Sequence, residues 1–352
     1  MLACLGAACK GMMLFDSAKQ PLIILSLMIV PEFWAEARVQ KRENNRQLTV
    51  RRYGWSDLSQ DEAQTMAETR AQDALRRLWA GEHLEKREPR VPYNGAHGVP
   101  IREEILSRHG DAVITRNLYG AQCLNTPDVL FADVDLSSDT PATLTCSIYV
   151  VLLVVAVAFG VYQGAIGMAV LAMLVALVIG YAVATWLHQI RLKMGGGIRN
   201  IALKRIRAFA QVHPQWHLRI YETPAGFRVL VMHRTFDPAS EEVAHFFDAL
   251  GTDPVYVQMC RNQNCFRARL TPKPWRIGIQ AHQPPRPGYW PVKPEHLPAR
   301  RRWTALYEEK ARGYAACRYL ESLGSPGVHP QAESVCSLHD ERCRSHSGMP
   351  LA

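Results

Sequence analysis

The residues best spaced for chemistry are the two aspartates of Leu130-Phe131-Ala132-Asp133-Val134-Asp135. The run is hydrophobic and reads as a strand, so alternation puts Asp133 and Asp135 on one face, about 7 Å apart along the backbone. Carboxylates so placed can hold a hard divalent cation, Mg²⁺ or Mn²⁺, that bridges substrate phosphates and offsets charge developing in phosphoryl transfer. The plainer reading is a solvated polar stop at a strand end, ahead of the apolar run that follows.

Two other groups carry reactive or ligating side chains. Arg261, Arg267, Arg269, Lys273, Trp275 and Arg276 form a basic tract interleaved with an aromatic ring, suited to phosphates by charge and to bases by stacking. The same tract also fits a solvated strand face with an arginine rim. In the tail, Cys336, His339, Cys343 and His346 can surround one Zn²⁺ if the segment folds as a loop, whereas a helix would spread them over several faces. Cys260 and Cys265 have no matching second pair. The chain contains no glycine-rich phosphate loop, Gly-x-Ser-x-Gly elbow or His-Glu-x-x-His motif, so the common NTPase and hydrolase templates lack support.

Downstream of the aspartates comes Tyr221-Glu222-Thr223-Pro224-Ala225-Gly226-Phe227-Arg228-Val229. With the Asp-x-Asp strand before it, this segment remotely resembles the catalytic core of the archaeo-eukaryotic primase and primase-polymerase superfamily, over roughly residues 114–270. The resemblance implies a metal-dependent nucleotidyl transferase in which Asp133 and Asp135 hold Mg²⁺ or Mn²⁺. It implies a nucleotide-phosphate contact at Arg228, where that family usually carries histidine, and a third carboxylate at Asp248 or Asp253. A membrane segment between the first two motifs is foreign to that family.

Residues 148–187 are almost entirely apolar while the rest is ordinary charged sequence. One crossing needs about 20 apolar residues, and this run is roughly twice that, which implies two helices. The break falls at Gly160-Val161-Tyr162-Gln163-Gly164, giving spans of about 145–161 and 165–187. Small residues near the turn permit close helix contact. His188, Arg191, Lys193, Arg199, Lys204, Arg205 and Arg207 follow the second span, and the positive-inside rule places that exit in the cytoplasm. Two crossings return both flanks to one side. The expected location is a bacterial-type inner (plasma) membrane, multi-pass, with both soluble segments cytoplasmic. The formal charge of +9 suits the lipid bilayer's anionic headgroups, with nucleotide or nucleic acid as the other phosphate-bearing partner. Nine cysteines without a framework suit a reducing compartment.

The expected fold is α+β, a mixed sheet-and-helix domain interrupted by the transmembrane hairpin. Its parts are an N-terminal extension (1–30), a first domain segment (31–144), the hairpin (145–187), a second segment (188–298), and a helical tail (299–352). The apolar run 22–30 reads as extension, buried strand or signal segment. Alternation predicts a β-hairpin over 33–39 and 48–53, and a capping box at Ser59 and Glu62 opens a long helix ending near Gly81. Further expectations are a short helix at 101–108, strands at 113–116, 129–135, 218–222, 227–232, 255–257 and 266–270, helices at 241–250 and 303–323, and an irregular stretch at 272–298. A basic amphipathic helix near 198–209, after Gly195-Gly196-Gly197, fits a lipid surface or the core equally well. Without a strong catalytic motif, binding or interaction at the membrane is the first functional expectation and nucleotidyl or phosphoryl transfer the alternative. The spans contain no ionisable residue to mark a transport pathway.

Overall fold

The computed structural model describes residues 30–43, 46–88, 99–286 and 288–352, in a mixed α+β fold. The apolar run before Val30 and most of the 91–100 connector lie outside the described residues. Strands β1 (Phe33–Glu43) and β2 (Arg46–Ser56) pair antiparallel from Phe33↔Ser56 to Glu43↔Arg46, which is the hairpin that alternation predicts. Helix α1 (Gln60–Trp79) begins where the Ser59 hydroxyl accepts the Glu62 backbone N–H at 3.1 Å. Its alanine face, Ala63, Ala67 and Ala71, packs on Ala35 and Ala37.

Two four-stranded antiparallel sheets share the main core. One contains β3 (Glu104–His109), β4 (Ala112–Arg116), β5 (Gln122–Thr126) and, far downstream, β9 (Phe266–Arg269), in the order β3-β4-β5-β9. The other contains β6 (Phe131–Asp135), β7 (His217–Glu222), β8 (Gly226–Val231) and β10 (Arg318–Gly324), in the order β10-β7-β8-β6. Both sheets therefore join strands from before and after the apolar segment. In the second, Tyr319, Tyr221, Arg228 and Asp133 form one row across the strands. Side chains opposite one another in such a row share a face.

Between β6 and β7 lie α2 (Ala142–Tyr162) and α3 (Ile166–Met194), each long and apolar enough to cross a membrane. Their most apolar windows have mean hydropathy 2.6 and are only 11% buried within the protein. A core helix of a soluble domain would hide such a surface, whereas here Val150, Leu153, Leu171, Leu177 and Val178 stand exposed. The two helices pack through small residues. A Cβ on Gly160 would sit 2.2 Å from that of Ala169, and one on Gly180 would strike the Tyr149 ring at 2.4 Å. The turn falls at Gln163, Gly164 and Ala165, inside the glycine-bounded segment that composition marks.

After a glycine joint, α4 (Ile198–Val212) buries Ala202, Ile206 and Ala210, so its apolar face joins the core. Arg199 meets Glu222 and Arg207 meets Glu321, both on the sheet face opposite Tyr221 and Arg228. The remaining α-helices among the described residues are α5 (Glu241–Leu250), α6 (Pro254–Gln263), α7 (Leu297–Ala311) and α8 (Pro330–Cys343).

Three expected elements differ. The predicted short helix at 101–108 is largely strand β3, because Gly110-Asp111 turns the chain so that His109 pairs with Ala112 and Glu104 with Arg116. The predicted strand at 255–257 is the first turn of α6, where the Asp253 carboxylate accepts the N–H groups of Val255 and Tyr256 at 3.2 Å each and Pro254 supplies the fixed φ of a first helical residue. The predicted helix 303–323 is two elements. Helix α7 stops at Ala311, and the chain resumes as β10, whose register with β7 runs from Arg318↔Glu222 to Gly324↔His217.

Candidate functional site

Strand β6 puts Asp133 and Asp135 on one face, but their surroundings separate their roles. Arg228 lies directly across the strand pair from Asp133. Its Nε donates to Asp133 Oδ1 at 2.8 Å and its Nη2 to Oδ2 at 3.3 Å, and its side chain is 2% exposed. This two-pronged pairing fills both oxygens of Asp133 and leaves Arg228 out of reach of a ligand. The phosphate contact expected at Arg228 therefore does not fit its position. Burial disfavours the Arg228 cation, yet the adjacent Asp133 carboxylate more than restores it.

Asp135 ends the strand, exposed. Partial desolvation of its carboxyl by the neighbouring atoms, then the nearby charges of Asp133 and Asp253, push its pKa up, while Lys273 and Arg269 pull the other way. Of the two candidates for a third carboxylate, Asp253 is the one whose charge reaches Asp135. Its backbone N–H donates to the Asp133 carbonyl at 2.9 Å, and its side chain is occupied in capping α6. Asp248 is exposed on α5. Three carboxylates thus gather at the end of β6, with two already bonded within the protein. Among the described residues they do not form a set with ligand atoms within 4.8 Å of one another.

The basic tract divides. Arg267 is buried in an ion pair with Glu103, and Arg261 is exposed on α6. Arg269, Lys273 and Arg276 instead converge beside Asp135. Lys273 has its pKa lowered by burial, then by Arg269 and Arg276, with Asp135 and Asp133 opposing. Arg276 is lowered in the same sense by burial and Arg269. Arg269 Nε and Arg276 Nη1 are enclosed without a hydrogen-bond partner among the described residues. Trp275, 46% exposed, lies edge-on to Tyr119 at 5.4 Å between ring centres, with Lys273 Nζ 5.4 Å from its own ring. A cation cluster beside an exposed indole can attract a phosphate and stack a planar group.

The tail residues expected to meet as four meet differently. His339 and Cys343 lie one turn apart on α8 and face Cys317, which enters from the segment before β10. The ligating atoms of these three lie within 4.8 Å of one another, and all three side chains are buried. His339 Nε2 is 3.8 Å from Cys317 Sγ, while Nδ1 is 3.0 Å from Asp340 Oδ1. Burial opposes ionising Asp340, but His339, Tyr221 and Arg219 outweigh it and hold its carboxyl below the usual range. Cys336 turns to the Tyr221 hydroxyl at 3.6 Å, and exposed His346 meets Asp340 at 3.2 Å, so neither joins the cluster. Cys317 escapes sequence reading because it falls inside the expected helix 303–323. The His339-x-x-x-Cys343 spacing, one helical turn, was the available signal.

No protein-family model, curated protein or solved structure matches this chain.

Proposed function

We propose that this chain is a membrane-anchored protein whose cytoplasmic domain binds a phosphate-bearing ligand, a nucleotide or short single-stranded nucleic acid, at Arg269, Lys273 and Arg276. The α2–α3 hairpin is the anchor, crossing twice, and the basic flank after α3 favours a cytoplasmic exit. The observation that carries the binding reading is the cation cluster itself. Three positive side chains crowd together, and of the two acidic groups facing Lys273, Asp133 is already taken by Arg228. Such crowding is unfavourable unless an anion relieves it. Trp275 supplies the stacking surface.

The test is fluorescence anisotropy of a labelled single-stranded oligonucleotide against the full chain in nanodiscs of neutral lipid, over a range of salt. Affinity should fall with salt, and Lys273→Ala should weaken binding and reduce the salt slope by about one. Trp275→Ala should weaken binding by roughly fivefold or more, since stacking contributes about 1–3 kcal/mol per base. Asp135→Asn should tighten it by removing a competing negative charge. Nanodiscs with anionic lipid that abolish binding would assign the patch to headgroups instead. Salt-independent binding unaffected by Lys273→Ala would refute the reading.

A second reading, metal-dependent nucleotidyl transfer of the kind implied by the resemblance to primase-polymerases, draws support from the gathering of Asp133, Asp135 and Asp253. It requires Asp133 to leave Arg228 for Mg²⁺ or Mn²⁺. Mn²⁺-dependent nucleoside triphosphate binding that Asp133→Ala and Asp135→Ala both abolish would favour it. Under this reading Asp135→Asn weakens binding, opposite to the first.

A further inference from the structure

We propose that Cys317, His339 and Cys343 bind one structural Zn²⁺ ion. Two sulfurs and one imidazole nitrogen, each wholly buried, face a common point from two separate elements. Two thiols and an imidazole are the donor types Zn²⁺ prefers. The histidine is already set for ligation. Asp340 accepts at Nδ1, 3.0 Å away, which directs the Nε2 lone pair toward Cys317, and Arg219 in turn holds Asp340 at 2.7 Å. A carboxylate behind a ligating histidine fixes its tautomer and raises its basicity. The ring is also held edge-on by Tyr221 at 4.8 Å and tilted against Phe131 at 5.3 Å between ring centres.

Charge balance supports the ion. Arg228 is matched by Asp133, and Arg219 by Asp340. The remaining cluster is Cys317, Cys343 and His339, and two thiolates with one Zn²⁺ and a neutral imidazole sum to zero. A neutral set keeps the cost of enclosing the ion low. Arg228 Nη1 lies 3.3 Å from His339 Nε2, but it also donates to the Arg269 carbonyl at 2.9 Å and keeps that bond when the metal takes Nε2. The fourth position falls to water or to the Arg269 carbonyl, which already approaches Cys343 Sγ at 3.5 Å. Burial shuts out a substrate, so the site is structural. It ties α8 and the start of β10 to the face of the sheet that carries Tyr221 and Arg228.

Metal content of the full chain, purified in detergent without a histidine tag, tests this. Elemental analysis should give about one zinc per chain for the wild type and for Cys336→Ser, and only background for Cys317→Ser and Cys343→Ser. Because a ligand variant can fail to fold, the wild type is also stripped and reloaded with Co²⁺. Thiolate-to-cobalt charge-transfer bands and intense tetrahedral ligand-field bands are expected. Zinc-free wild-type protein that also gives no thiolate–cobalt bands overturns the proposal. So does undiminished zinc in Cys317→Ser. Either result would leave the three residues as a hydrogen-bonded core around Arg228.

Discussion

Arg228 shows how much one side chain's partner decides. A charge this deeply enclosed is tolerable only while Asp133 answers it, so Arg228→Ala strands a carboxylate and Asp133→Ala strands a guanidinium. Each should destabilise the protein by about 3–5 kcal/mol, read as a shift in the denaturation midpoint. The double change Arg228→Met with Asp133→Leu should lose clearly less than the sum of the singles. His233 gives a pH signature at the same scale. Burial, then Arg234, lowers its pKa, and its ring lies tilted against Trp216 at 5.0 Å and edge-on to Phe236 at 5.6 Å between ring centres. The unfolded chain therefore binds a proton more readily than the folded one. Stability from this group is present above the unfolded histidine value, about 6.5, and declines as pH falls through it toward the lower folded value. Thermal melts between pH 7.5 and 5 should show a decline that His233→Gln flattens.

Among the elements, α6 separates a structural aspartate from a ligating one. Asp253 accepts the first free N–H groups of that helix, and the Tyr256 hydroxyl then donates to the Phe131 carbonyl at 3.0 Å, fastening α6 to β6. Asp253→Ala should lower stability by about 1 kcal/mol in chelator-treated protein, and Asp253→Asn, itself a good cap, should recover most of it. A metal ligand would lose function in both variants. The same helix shows where local sequence misleads. Val255-Tyr256-Val257 looks like a strand by side-chain type, while the Asp253-Pro254 pair in front of it is a helix start and prevails. His109-Gly110-Asp111-Ala112 likewise carried a two-residue turn that the helix-favouring Arg102, Glu103, Glu104 and Leu106 obscured. Elements with strong local signals, such as the capped α1, the β7–β8 hairpin and the two apolar helices, were readable in the chain. The site was readable only in its residue types. That Arg228 answers Asp133 depends on β6 meeting β8 in one register, and that Cys317 reaches His339 depends on where α7 stops. Neither has a local signature, because both are set by pairing between distant segments.

For the whole molecule, the apolar hairpin is an insertion at one seam of one sheet. Thr140 Oγ1 and Thr185 Oγ1 lie 3.4 Å apart, so the chain enters α2 beside the point it passes on leaving along α3. Replacing residues 141–184 with a short Gly-Ser linker should therefore yield a soluble folded domain, checked by gel filtration without detergent and by a cooperative melt. Loss of the cooperative transition would mean that the sheet depends on the hairpin for its closure. The same geometry governs the order of assembly during synthesis. Among the described residues β6 pairs only with β8 in its sheet, and Asp133 is 95 residues from Arg228. A helix pair that returns to its starting point shortens the effective loop to about half, which lowers its closure cost by about 0.6 kcal/mol. Until β8 is made, β6 waits with both edges unpaired in this sheet. Under the proposed membrane anchoring, a hairpin stalled during insertion would hold β6 apart from β8 and leave an aggregation-prone half-sheet at the membrane surface, a hazard that the linker variant would escape.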